Sequence, residues 1–121
     1  MKRCVLTQCL PICRMNLTEY IRGYANYTFE ICPSGHNNTS DNPHVYMALL
    51  MGTIPIVKTS PMNALYLSLP VVIVKDWDEI TPKAMRKWKR KFGKRLPSPG
   101  DPILPELSLE HWREKFIAFK N

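Results

Sequence analysis

Residues 34–42 gather the side chains best suited to holding an anion: Ser34 and Gly35 behind Pro33, then Asn37, Asn38, Ser40 and Asp41, just ahead of Pro43. Glycine and asparagine tolerate backbone angles that let successive amides point the same way. The unpaired amides that begin a following helix favour negative charge, so the chemistry on offer is the binding of a phosphate or diphosphate. The same residues also suit an ordinary strand-to-helix turn in which Asp41 or Asn42 only caps the helix that Pro43 opens. Neither a phosphate-loop nor a dinucleotide glycine pattern is present. Cys32 and His36 are four apart, but Pro33 and Gly35 lie between them and keep them off one helical turn. Cys4, Cys9, Cys13 and Cys32 match neither zinc-knuckle nor redox spacing, so free thiols and no metal site are expected.

A second group of residues with chemical potential is basic. Of the seventeen Lys and Arg residues, eight fall between Lys83 and Arg95, a stretch without an acid; the rest of the chain has nine bases against ten acids. The net charge of +7 is therefore one local feature rather than a property of the whole surface. Met85, Trp88 and Phe92 share one face of a helix there, leaving Lys83, Arg86, Lys87 and Arg90 on the other side. The plain expectation is a helix docked by its aromatic face with its cations in water. The sharper one is a contact with a polyanion, whether nucleic acid, acidic glycan or lipid headgroups, or a nuclear-import signal.

These residues need elements to position them. Leu17, Tyr20, Ile21 and Tyr24 recur at three- and four-residue spacing and predict a helix over 17–25, and the alternation in 27–32 predicts a strand ending at Pro33. A helix is expected next, from Pro43 to about Gly52. Residues 53–58 and 70–75 are short, apolar and rich in β-branched types, as in strands buried on two faces, with a two-turn helix over 61–68 between them. Thr81 caps and Pro82 opens the basic helix, Gly93 ends it, and after the proline-rich loop 96–106 Ser108 caps a last helix carrying Leu109, Trp112, Phe116 and Phe119. The alternation predicts an α/β domain: a small three-stranded parallel sheet with right-handed crossovers, covered by helices. Residues 1–16 are expected to be a ragged N-terminal segment, and 17–121 a single lobe.

The order of pieces from Phe29 to Val57, FEICPSGHNNTSDNPHVYMALLMGTIPIV, resembles the signature region of exostosin-like glycosyltransferases. In that family a strand ending in a Pro-x-Gly turn precedes a loop with Asn and Asp, then a helix ending Ala-Leu-x-x-Gly and a strand reading x-Ile-Pro-Ile-Val. Residues 32–35, 48–52 and 53–57 are similar to those three pieces. Ser60, Pro61, Leu65 and Tyr66, with the run 69–77 and its Asp-Trp, resemble the family's loop, short helix and third strand. Residues 107–112 resemble its final helix, so the likeness spans roughly Tyr20 to Phe116.

The resemblance implies a Rossmann-like sheet like that of the C-terminal, donor-binding lobe of a GT-B glycosyltransferase. It implies a nucleotide-diphosphate sugar as donor substrate with no bound cofactor, bound by Ser34, Gly35, Asn38, Asp41, His44 and Tyr46. It further implies a glycan or glycoprotein acceptor and an N-terminal lobe or partner chain to complete the cleft. The family's usual place is the Golgi or secretory lumen; a chain without a signal would be cytoplasmic. His44 stands where the family usually carries arginine and Met47 where it carries glutamate, which removes a bidentate phosphate partner and a hydroxyl acceptor. One lobe also has no evident catalytic residue or acceptor base, so a truncated or non-catalytic binding module acting through the basic helix is the competing expectation.

At 121 residues and 45% hydrophobic content, one core is the ceiling, and no window approaches the roughly 20 apolar residues of a membrane span. Lys2 and Arg3 precede only a short, interrupted run, a poor match to a secretory signal. Asn16, Asn26, Asn37 and Asn38 each begin an N-glycosylation sequon, which suits a lumenal location without assigning one.

Overall fold

The computed structural model describes residues 3–5, 16–33, 43–97 and 103–120. Its chain order is β1 (Arg3–Val5), α1 (Leu17–Ala25), β2 (Tyr27–Ile31), α2 (Pro43–Leu50), β3 (Ile54–Lys58), α3 (Asn63–Tyr66), β4 (Val72–Val74), α4 (Pro82–Phe92) and α5 (Leu109–Lys120). The strands form an open sheet in the order β1-β2-β3-β4, and every pair is parallel. This is a small Rossmann-like α/β fold with the three expected strands in adjacent positions. It also has an edge strand that the sequence did not announce: Arg3–Val5, in the segment expected to be ragged, pairs with β2.

The sheet separates two apolar layers. On one face Val45 and Leu49 of α2 and Tyr66 of α3 pack with Cys32, Val57, Leu69 and Val71. On the other, Met85, Trp88 and Phe92 of α4 cover Phe29, Ile54, Ile56, Val72 and Val74. The alternation of Ile56 and Val57 between these layers is the two-residue period of a strand buried on both sides. α1 lies against α2 and β2.

β3 occupies a central position and yet contains Pro55. The Ile56 carbonyl accepts from the Cys32 amide at 2.9 Å, so Ile56 directs its backbone groups to β2 and Pro55 directs its own toward β4. The β3–β4 ladder begins one residue later, at Ile56↔Val72, so the missing proline N–H costs no ladder bond.

The junction between α2 and β3 is a Schellman cap. Gly52 N–H donates to the Leu49 carbonyl at 3.2 Å and Thr53 N–H to the Ala48 carbonyl at 2.8 Å, with Gly52 at φ +73°. The fully buried Thr53 then ties β3 to β2 by donating its hydroxyl to the Tyr27 carbonyl at 3.1 Å. A side chain at Gly52 would have its Cβ 2.7 Å from the Pro97 carbonyl oxygen, so the glycine is demanded twice over.

Two helix starts agree with their expected caps. Thr81 Oγ1 accepts from the Ala84 amide at 3.2 Å, and Ser108 Oγ from the His111 amide at 3.2 Å. A third cap, Asn16 Oδ1 accepting from Glu19 N–H at 2.9 Å, opens α1. Gly93 ends α4 as expected, in a right-handed conformation that tightens into a 3-10 turn, Gly93–Arg95. Two elements differ from expectation. α3 is one turn rather than two. The apolar side chains of α5 lie exposed.

Candidate functional site

In an open parallel sheet the carboxyl ends of the strands carry the loops that reach a ligand, and a crevice opens where consecutive crossovers leave on opposite faces. The strand order here never reverses, but the faces do. α3, which comes after β3, covers the same layer as α2, whereas α4, which comes after β4, covers the other. The loops leaving β3 and β4 therefore diverge, and their starting points are the described part of a candidate site.

The β3 loop is held tightly. Thr59 N–H continues the sheet by donating to the Val74 carbonyl at 2.8 Å. Asn63 then clasps the turn, its Oδ1 accepting from Ser60 N–H at 2.9 Å and its Nδ2 donating to Thr59 Oγ1 at 2.8 Å. Ser60 Oγ accepts in turn from the Met62 amide at 3.2 Å.

The β4 loop is a capping box. Asp76 accepts from the Trp77 amide at 2.7 Å, while Glu79 Oε2 accepts from the amides of Asp76, at 2.9 Å, and of Lys75. Lys58 bridges the two loops, its Nζ 3.9 Å from Asp76 Oδ1 and 5.7 Å from the centre of the Trp77 ring. Both partners of that ion pair are largely exposed, so its contribution to stability is small. What the arrangement offers is a rigid rim: one cation, an aromatic plate and hydroxyls on a backbone locked by Asn63 and Glu79. Trp77 belongs to the Asp-Trp included in the family resemblance, whereas Lys58, Thr59 and Asn63 were not singled out by any sequence motif. The available signal was position alone, each standing at or just after a strand's carboxyl end.

The expected donor residues divide between described and undescribed parts of the chain. Ser34, Gly35, Asn38 and Asp41, together with His36 of the weighed Cys32–His36 pair, lie outside the described residues. His44 and Tyr46 are both half-buried on α2, but a two-residue separation sets them on opposite sides of a helix. Tyr46 packs against the buried layer with its ring centroid 6.4 Å from that of Tyr66. His44 shares its side of α2 with Met47 and Ala48. The two residues therefore do not converge on one point.

Cys32 comes directly after the last residue of β2 and is 3% exposed, with its thiol directed at the Glu30 carbonyl at 3.8 Å. Burial, assisted by the negative charge of Glu30, pushes the thiol up to about 12. A thiol so protonated is neither a nucleophile nor a ready metal ligand. Among the described residues no three of His, Cys, Asp and Glu gather in a way that could hold a metal ion.

The basic helix matches the plainer of its two expectations. Met85, Trp88 and Phe92 face the sheet, and the Trp88 ring meets Phe29 edge-on at 6.4 Å. Lys83, Arg86, Lys87 and Arg90 are exposed, and among the described residues none of them pairs with a carboxylate. Arg95 is used internally, donating to the Ser68 carbonyl at 2.6 Å.

No helix among the described residues is long and apolar enough to cross a membrane. Comparison with models of known protein families and with curated proteins finds no match.

Proposed function

We propose that this chain is the nucleotide-sugar-binding half of an exostosin-like glycosyltransferase, serving transfer of a sugar to a glycan or glycoprotein acceptor. The observation that carries the reading is the course of the chain around residues 34–42. β2 ends at the carboxyl edge of a parallel sheet, next to β3 and the Thr59–Ser60 loop that leaves it, and the chain resumes at the amino end of α2. A segment whose motif resembles the family's donor loop thus runs from a strand's carboxyl end to a helix's amino end, where the helix dipole favours a diphosphate.

In this reading Ser34, Gly35, Asn38 and Asp41 contact the donor and His44 stands at the phosphates. Lys58 supplies charge that an arginine at position 44 would otherwise provide. Tyr46 supports the site through its packing on Tyr66. The acceptor base and the facing wall come from another lobe or chain, in the Golgi or secretory lumen.

Thermal melts in the presence of uridine and guanosine diphosphate sugars test this. A ligand at ten times its dissociation constant stabilises the native state by about 1.4 kcal/mol, or roughly 5–10 °C for a domain of this size. The expected result is a saturable rise with one nucleotide class that Asp41→Ala or Asn38→Ala abolishes. A cooperative melt that no nucleotide sugar moves rules the reading out.

A second reading has one observation in its favour, the exposed and unneutralised base row of α4. It makes the chain a non-catalytic module that contacts polyanions through Lys83, Arg86, Lys87 and Arg90. Heparin affinity should then fall steeply with salt and collapse in Arg86→Glu/Arg90→Glu. Unchanged retention of that variant sinks it.

A further inference from the structure

Helix α5 carries an apolar stripe that nothing among the described residues covers. Leu109 is 85% exposed, Trp112 42%, Phe116 68% and Phe119 91%, and they succeed one another at three- and four-residue spacing on one side of the helix. α5 touches the described domain chiefly through the turn Pro105–Leu107, and every residue from Trp112 to Lys120 is exposed. A broad surface can therefore reach the stripe along most of the helix. Ser108 caps the helix, so its order does not depend on burying the stripe.

Both edges of the stripe are basic. Arg113 neighbours Leu109 and Phe116 along one edge, and Lys120 follows it there; on the other edge Lys115 neighbours Trp112 and Phe119. Lys115 Nζ lies 5.2 Å from the centre of the Trp112 ring, which sets a cation against the aromatic border. Arg113 and Lys120 line an open groove with Phe116, Ile117 and Phe119, their stems extending the apolar side. At 3.6 residues per turn, Glu114 falls opposite the middle of the stripe, and Glu110 lies closer to Glu114 than to the stripe. Arg113 is 3.0 Å from Glu110, but both are largely exposed, and a pair of that kind is readily exchanged for another anion.

We propose that α5 docks on an anionic lipid surface, lying in its plane with the stripe in the acyl boundary and Arg113, Lys115 and Lys120 at the phosphates. The placement of charge selects this occupant. Long basic side chains on both edges keep their stems along the apolar side and their charged ends among headgroups, while Glu110 and Glu114 stay in water.

The same placement disfavours a second copy, because two stripes set face to face would bring basic edge against basic edge. A protein groove would have to supply acids along both of its walls. A layer of anionic headgroups supplies them wherever the bases fall.

Co-sedimentation of the full chain with phosphatidylcholine vesicles containing about 30% phosphatidylserine tests the proposal. The chain should pellet with these vesicles and not with phosphatidylcholine alone. Its tryptophan emission should shift to the blue, a change that Trp112→Phe removes. Lys115→Gln and Lys120→Gln should each weaken binding roughly 5-fold, the effect of one base near an anionic surface. Phe116→Ser/Phe119→Ser, which alters exposed side chains and should leave the melting temperature unchanged, should abolish the shift and most of the pelleting. Arg86→Glu/Arg90→Glu should keep the shift, which separates insertion of α5 from attraction to the base row of α4.

A folded wild-type chain that stays in solution overturns the proposal. So does a bound chain whose Trp112 emission does not move, or binding indifferent to Phe116→Ser/Phe119→Ser. A chain that ignores the vesicles and instead doubles its mass of 14.0 kDa through the same residues also overturns it.

Discussion

Replacing Gly52 with alanine isolates the turn that joins α2 to β3, and the structure supplies two separate costs for it. The backbone there is left-handed, at φ +73°, which penalises a residue with a Cβ by roughly 1–2 kcal/mol. The added Cβ would also stand 2.7 Å from the Pro97 carbonyl oxygen, and forcing tightly packed backbone apart costs roughly 1–3 kcal/mol more. The lower entropy of the unfolded alanine chain returns about 0.5 kcal/mol. The net loss is about 3 kcal/mol, a large share of the roughly 5–15 kcal/mol by which a small domain is stable.

Gly23, inside α1, is the control. A Cβ there meets nothing within 4 Å and its backbone is not left-handed, so Gly23→Ala should stabilise by about 0.5–1 kcal/mol through helix propensity. Urea denaturation of both variants with a shared slope measures the two effects. The two changes should have opposite signs. A loss below about 1 kcal/mol for Gly52→Ala, with the slope unchanged, would show that the cap is not held as described and refute the reasoning.

Two more outcomes rest on the same geometry. Cys32 should resist alkylation at pH 8 in the native state and react only on unfolding, as mass spectrometry of the labelled peptide can read. Its folded pKa of about 12 lies above the ordinary value of 9.0, so the unfolded chain ionises first. Stability is then fully present below pH 9 and falls as pH rises toward 12, a decline that Cys32→Ala should flatten. Thr81→Ala should cost about 1 kcal/mol by freeing the Ala84 amide, and Thr81→Ser should retain most of it; equal losses from both would count against the cap.

Much of the fold was legible because its signals are local. Apolar residues at helical spacing mark α1 over the very residues predicted, Leu17–Ala25, and the Thr81-Pro82 pair marks the start of α4 where the hydroxyl cap is found. The two-sided burial of Ile54–Lys58 stems from a run of apolar residues too short for a helix. β1 was not legible, because three residues carry no period and their partner is some 25 positions away.

The candidate site divides along the same line. The residue types of 34–42 were apparent from the sequence, whereas the rim of Lys58, Thr59, Asn63 and Trp77 exists only because β3 and β4 are neighbours whose loops leave on opposite faces. The separation of His44 from Tyr46 is a matter of helical period, but the burial of Tyr46 against Tyr66 is a matter of what α3 brings beside it.

Apart from β1, the sequence by itself determined which segments would be helix or strand, that Thr81 and Ser108 would cap α4 and α5, that the sheet would be parallel, and that the positive charge would collect on one helix. Each depends on interactions among residues close along the chain or on the alternation of elements. Tertiary structure alone decided that Gly52 must be glycine for the sake of Pro97, that Cys32 is sealed at the end of β2, and that the stripe of α5 faces outward. Burial and close approach are properties of neighbours distant in sequence, and a side chain's own pattern does not say whether a neighbour arrives.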